Sequence, residues 1–362
     1  MTHPMPRTVL ESLNRGLYQA LHDEAKVILL GEDLLDPYGG AFKVTRGLST
    51  DFPDQVLTTP ISEAGITGMA GGMALRGMRP VVEIMFGDFT TLIADQVINH
   101  ITKFSGMYSG GVKTPVVIRT PMGGRRGYGP THSQTLEKYF LGVPGLTVLA
   151  PFHLQGDHAL GEPGRLLYDA IINLDTPVLF VENKLQYLFK LASEAEQLSE
   201  FLVVKHALSS TKRMPREESW KGGAVHAPFY TLSLKDAPAA VMTLTAYGYM
   251  ANLALEVLYR LAYEYEIFCE LLVPTQLAPF NLGPLFESVT RTGCLLTIEE
   301  GTLSLGWGAE VLARTAESLG QNLRKAGRLA AREGVVPAAP DQEADCLPGT
   351  ADIIARVQAM VG

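Results

Sequence analysis

Short apolar runs that alternate with longer helix-period segments constrain this chain most, because the alternation occurs twice along its 362 residues. Residues 27–30, 80–85, 115–119, 147–150 and 178–182 read as strands. Among them, Val9, Leu10, Leu13, Leu17 and Leu21 share one face at helical spacing, and Leu92, Ile93, Gln96, Val97 and His100 repeat the pattern. Strand and helix in alternation predict a parallel sheet covered on both faces. The pattern restarts near Ala239, with strands expected over 240–246, 267–273 and 294–298 and helices over 251–263 and 284–292. The expected fold is therefore α/β, with two doubly wound parallel-sheet domains. A polar stretch without period, 205–236, reads as a linker, so the expected division is 1–204, 205–236 and 237–362. Loops of that length are uncommon unless they serve a purpose.

Composition removes several function classes. At 46% hydrophobic and 19% charged residues the chain is neither disordered nor collagenous. A net charge of -8 offers no electrostatic reason to bind nucleic acid or an anionic membrane. No stretch approaches the ~20 apolar residues that span a bilayer. Cys269, Cys294 and Cys346 are far apart and form no C-x-x-C pair, which argues against a disulfide framework and a structural zinc site. The first 17 residues carry Arg7, Glu11, Asn14 and Arg15 and lack an apolar core, so no secretory signal is expected and a cytoplasmic location is.

Three clusters can carry chemistry. Thr58-Thr59-Pro60-Ile61-Ser62-Glu63-Ala64-Gly65 follows a strand-like run and opens a helix of small residues. Ser62 or Thr59 can cap that helix, and Gly65, Gly68, Gly71 and Gly72 admit a close neighbour. Glu63 then lies at a strand's carboxyl end, where open α/β sheets place ligands. Taken alone, a first-turn acid more simply complements the helix dipole, worth under ~1 kcal/mol. Met85-Phe86-Gly87-Asp88-Phe89 also follows a strand; its aromatics can stack on a flat heterocycle or simply fill core. The third cluster is a glycine-rich loop over 123–134 that ends in His132-Ser133-Gln134. Its histidine can donate a proton or clamp a substrate, or can simply be solvated.

In this order and at these separations the clusters resemble the beta subunit of the thiamine diphosphate-dependent dehydrogenase component of 2-oxo acid dehydrogenase complexes, in the transketolase-like superfamily. The resemblance rests on Gly31-Glu32-Asp33, Gly40-Ala41-Phe42-Lys43-Val44-Thr45-Arg46-Gly47-Leu48 and Thr59-Pro60-Ile61-Ser62-Glu63. Asp95-Gln96-Val97-Ile98-Asn99, His132-Ser133-Gln134, Pro144-Gly145-Leu146, Glu299-Glu300-Gly301 and Gly308-Ala309-Glu310 extend it over nearly the whole chain. It is weakest over 153–175 and across the polar stretch.

The resemblance implies a pyrimidine-binding domain followed by a transketolase C-terminal-type domain. It assigns to Glu63 the hydrogen bond to a ring nitrogen of the cofactor's aminopyrimidine, the bond by which the protein activates the cofactor. Phe89 matches the aromatic that stacks on the pyrimidine, Ile61 and Met85 match apolar residues of that pocket, and His132 matches a histidine that orients substrate or acceptor. No metal ligand is expected on this chain. The G-D-G motif with a following asparagine pair, which holds the diphosphate through Mg2+ in the family, is absent from this sequence. The resemblance therefore implies an alpha subunit that supplies the diphosphate half in an α2β2 heterotetramer. It also admits K+ held by loop carbonyls of 111–114 and 171–176.

Departures from the family pattern leave the chemistry open. Val273-Pro274-Thr275-Gln276-Leu277-Ala278-Pro279 replaces D-L-R-T-L-x-P, and Gly142 stands where a histidine is common. Arg125 and Arg126 add positive charge to the glycine-rich loop, either to attract an acidic substrate, phosphate group or carrier domain, or merely as a solvated loop. Three readings follow: decarboxylation of a 2-oxo acid with acyl transfer to a lipoyl domain; ketol transfer from a ketose phosphate to a carrier protein; and a scaffold subunit without catalysis.

Overall fold

The computed structural model describes residues 5–206 and 227–362, in two compact units. The central part of the polar stretch, 207–226, lies outside the described residues.

In the first unit, residues 5–122 and 139–191, the chain runs through α1 (Val9–Asp23), β1 (Val27–Gly31), α2 (Leu48–Asp51), β2 (Val56–Thr58), α3 (Glu63–Leu75) and β3 (Arg79–Glu83). It continues through α4 (Thr90–Asp95), α5 (Phe104–Met107), β4 (Val117–Met122), β5 (Thr147–Leu149), α6 (Gly161–Asn173) and β6 (Val178–Asn183). These strands pair in the order β5-β6-β4-β3-β1-β2, all parallel. Leu29, Val81, Val117 and Val178 form one register row across the sheet and are fully buried, which is why these strands read as plain apolar runs. Because all strands point the same way, Gly31, Thr58 and Glu83 end on neighbouring strands along one edge.

Helix α1 packs on α6 by a glycine contact. A Cβ on Gly16 would lie 2.4 Å from the Gly164 carbonyl oxygen, and Ser12 bridges the two helices by donating to Leu160 O and accepting from Gly164 N. The sequence pattern did not reveal α6, whose first turn holds Gly161, Pro163 and Gly164. The helix expected around 92–100 changes its winding midway: α4 passes into a π-helical turn at Gln96–Ile101. Gln96 and Ile101 there meet Gly68 and Gly71 of α3, where an added Cβ would sit 3.0 Å from each side chain. The small residues of α3 thus admit side chains rather than another backbone.

The second unit, residues 123–138, 192–206 and 227–362, contains β7 (Phe201–His206), β8 (Phe229–Leu234), β9 (Met242–Ala246), α7 (Gly248–Tyr265), β10 (Cys269–Pro274), β11 (Gln276–Ala278) and α8 (Gly283–Thr292). Then come β12 (Cys294–Thr302), α9 (Trp307–Leu319), β13 (Lys325–Ala331), α10 (Pro340–Cys346) and α11 (Thr350–Val361). Its sheet has the order β13-β12-β9-β10-β8-β7, parallel except that β8 runs antiparallel to both β10 and β7. Both ends of the expected linker are therefore strand, and β7 falls in the second unit although residues up to 204 were expected in the first. Phe201, Phe229, Tyr230 and Leu232 are buried, and the charged run between these segments masked their pattern.

Strand β12 runs four residues past its expected end and carries Glu299 and Glu300 into the interior. Glu299 accepts from Gly308 N at 2.9 Å, and the Tyr247 hydroxyl donates to Glu137. Burial and the neighbouring Glu137 push the Glu299 carboxyl up to about 8, against the N–H groups of Gly308 and Trp307. Burial likewise raises Glu137.

Candidate active site

The loops that leave β1, β2 and β3 carry the first unit's candidate residues. After β2, Thr59 N bonds Gly31 O at 3.0 Å and turns the chain toward α3. Ser62 occupies the N-cap of α3 without a side-chain hydrogen bond, and the Thr59 hydroxyl is buried with no partner, so neither caps the helix as expected. The Ser62 N–H serves Glu32 instead. Glu63 is the first residue of α3 and is only 8% exposed, and no hydrogen bond reaches its carboxylate from the described residues. Near it lies Glu32, 5% exposed, one of whose carboxylate oxygens has no partner among the described residues. Burial first and the Glu63 charge second raise the Glu32 pKa. An acid with a buried oxygen lacking a donor among the described residues, beside a second acid that receives none from them, leaves acceptor sites open at this strand end. Glu32 was legible only inside the Gly31-Glu32-Asp33 match; nothing in its spacing announced a partner for Glu63.

Strand β3 ends at Glu83, short of Met85, and the chain closes into a 3-10 turn at Gly87–Phe89. Gly87 is required there, since a Cβ would lie 2.4 Å from the Met122 side chain. Met85 and Phe89 are half-buried, Phe89 meets Phe86 edge-on at 5.7 Å, and Phe42 meets Phe86 edge-on at 5.5 Å. Ile61 is 84% exposed, an apolar side chain that this unit does not cover.

A charged network underlies these loops. Arg119, 1% exposed, grips Glu182 with two bonds of 2.8 and 2.6 Å and Glu83 with a third, while the Tyr187 hydroxyl donates to Glu182 at 2.6 Å. Burial disfavours the guanidinium charge, but Glu182 and Glu83 outweigh it and keep Arg119 protonated. The network ties the middle of β4 to the ends of β3 and β6.

His132 belongs to the second unit, so Glu63, Ile61, Met85 and Phe89 share one sheet edge and His132 does not. It is half-buried, and its Nδ1 lies 2.9 Å from the Thr131 hydroxyl. The loop that carries it is held within that unit: Gly124 N donates to Glu300 at 2.8 Å, and Arg125 N and Gly127 N donate to Glu343 at 2.7 and 3.1 Å. The two arginines divide. The Arg125 guanidinium donates to Pro348 O and lies 5.5 Å from the Tyr249 ring centre, whereas Arg126 is exposed against Tyr128. Of the two, only Arg126 presents its charge to solvent.

Segments 111–114 and 171–176 lie side by side, with Thr114 N donating to Asp175 O at 3.1 Å. The cation that faces their carbonyls is the Arg79 guanidinium, which donates to Ile171 O at 2.9 Å and Leu174 O at 2.8 Å and pairs with Asp175. Among the described residues no group of three or more His, Cys, Asp or Glu can hold a metal ion, and no helix is long and apolar enough to cross a membrane.

A parallel sheet with acids and aromatics at its strand ends, followed by a second α/β unit, has the plan of a transketolase-type protein, and the family matches agree. Residues 6–188 match the family described as Transketolase, pyrimidine binding domain, and residues 234–353 match Transketolase, C-terminal domain. The chain is 32% identical over 349 residues to the pyruvate dehydrogenase E1 component subunit beta-2, mitochondrial, of Oryza sativa subsp. japonica, covering 96% of this chain and 84% of that one. It is 34% identical over 322 residues to the pyruvate dehydrogenase E1 component subunit beta of Leifsonia xyli, covering 88% and 85%. A solved structure titled split gene transketolase, inactive beta4 tetramer, shares the fold with a TM-score of 0.69 at 18% identity, covering 98% of this chain and 99% of that one. The chain belongs to the transketolase-like family, among the beta subunits of thiamine diphosphate-dependent 2-oxo acid dehydrogenases.

Proposed function

We propose that this chain, with an alpha subunit, decarboxylates pyruvate or a related 2-oxo acid and passes the acyl unit to a lipoyl domain. One observation carries the reading: Glu63, only 8% exposed as a residue, receives no side-chain hydrogen bond from the described residues and lies near enough to Glu32 to raise that acid's pKa, and one Glu32 oxygen is buried without a partner among them. Those open acceptors fit the nitrogen-rich head of thiamine diphosphate, which when bound supplies the nucleophilic carbon that attacks the keto group. Glu63 would hold that head by sharing a proton with a ring nitrogen, a bond that its largely buried position would strengthen. Ile61, Met85 and Phe89 offer apolar surface to the flat ring. His132 orients substrate or acceptor through its imidazole.

The missing G-D-G motif supports an alpha partner that binds the diphosphate with Mg2+, in an α2β2 assembly. Arg79 takes one acceptor site on each of the Ile171 and Leu174 carbonyls, and any K+ held by 111–114 and 171–176 would share those carbonyls with it or use the others. Ketol transfer from a ketose phosphate is the second reading, favoured by the exposed Arg126 and the altered segment 273–279. Purified alpha–beta enzyme given pyruvate, branched 2-oxo acids and a ketose phosphate in turn tests both. Carbon dioxide release from a 2-oxo acid is expected; carrier loading from the ketose phosphate without carbon dioxide would replace the first reading by the second.

A further inference from the structure

The loop that carries His132 has an unusual backbone. Gly123, Arg125, Gly127 and Gly129 all take positive φ, and Arg125 does so at 67° despite its side chain. A non-glycine residue stays there only when its surroundings impose the conformation. Here they do. Glu343 of α10, 3% exposed, receives the N–H groups of Arg125 and Gly127, and thus brackets the strained position. The Arg125 side chain reaches to Pro348 O, just beyond α10. Gly124 rests on the same helix, since a Cβ there would lie 2.6 Å from Leu347 and 3.1 Å from the Glu343 carboxylate.

We infer that Glu343 is a positioning residue for the reaction. Its charge-assisted bonds hold loop 123–134 in the conformation that presents His132. Glu343 touches no reacting atom; it acts through the loop, and the inference rests on the role proposed for His132. A buried carboxylate that accepts two N–H bonds is well compensated, whereas truncation leaves both N–H groups without their acceptor and Arg125 without a reason to remain at positive φ.

The test uses the assembled alpha–beta enzyme with Glu343→Ala, Glu343→Gln, Glu343→Asp and His132→Ala. Trypsin cleavage after Arg125 and Arg126 reports the loop, kcat/KM for pyruvate reports function, and thiamine diphosphate affinity serves as the control. Glu343→Ala is expected to speed loop cleavage and lower kcat/KM, each about ten-fold, with cofactor affinity within about two-fold. Glu343→Asp should restore both in part, and Glu343→Gln, the variant to use if alanine prevents assembly, should fall between. Combining Glu343→Ala with His132→Ala should cost little more than His132→Ala alone. Unchanged cleavage, unchanged kcat/KM or a fully additive double variant overturns the inference. Loss of activity in Glu343→Ala with none in His132→Ala would overturn the inference and also remove His132 from the proposed function, whereas unchanged cleavage would overturn the inference alone.

Discussion

The acids beside the two candidate loops are satisfied differently. In the first unit, Glu63 receives no hydrogen bond from the described residues and Glu32 keeps one carboxylate oxygen without a partner among them. In the second, Glu300 and Glu343 take up the N–H groups of the glycine-rich loop at 2.7–3.1 Å. An acid whose acceptors are filled by its own chain is part of the scaffold, whereas an open acceptor marks a ligand site only where it also lies at a strand's carboxyl end, since Glu137 and Glu299 of the second unit each keep a buried oxygen without a partner among the described residues.

The comparison breaks most visibly at Glu63. Glu63→Gln should keep the fold, assembly and melting temperature while turnover falls by about two to four orders of magnitude, since an amide is a far weaker acceptor than a carboxylate. Carbon dioxide release by the assembled enzyme measures it, and near-normal release would mean the carboxylate is not reserved for the cofactor. Arg119→Met probes the opposite case, an acid pair already committed. It leaves Glu83 and Glu182 buried without their counter-ion and should cost about 3–5 kcal/mol, read from the denaturant midpoint.

A third prediction concerns pH. Glu299 has a native pKa raised to about 8, so the folded state holds a proton that the unfolded chain releases near 4.5. That proton contributes fully below about 4.5; the contribution shrinks as pH climbs toward about 8 and is gone above it. The stability at stake is on the order of a few kcal/mol. Melting temperatures measured between those limits should fall with pH, and Glu299→Gln should flatten the slope; an identical slope in the variant would assign the proton elsewhere. The smallest effect is expected at Arg126. Arg126→Ala should raise KM for an anionic substrate by about two-fold or less and weaken its salt dependence, as befits an exposed charge.

Much of the fold was legible beforehand. The strands at 27–31, 178–183 and 242–246 and helices α1 and α8 sit within a few residues of where periodicity put them, because their apolar rows face a continuous core. Helix α6 escaped notice since glycine and proline at its start mimic a loop, although Gly164 is there to let α1 approach. Strand β8 was hidden beside a charged run, and the last turn of β12 by two glutamates that only a folded neighbour can satisfy. At the site, Glu63 and the 85–89 cluster were visible from their place after strands. Glu32, Arg119 and Glu343 were not, for each acquires its meaning from residues 30 or more positions away.

By itself the order of residues determined the layered α/β plan, the division into two halves and the motifs that mark the family, since hydrophobic period and local turn chemistry act over short stretches of chain. Only the tertiary structure decided which acids are spent on the scaffold and which remain open, that Arg125 is bound while Arg126 is exposed, and that the His132 loop travels with the second unit. Those outcomes depend on which donors lie within about 3 Å, and proximity of that kind is made by folding, not by sequence separation.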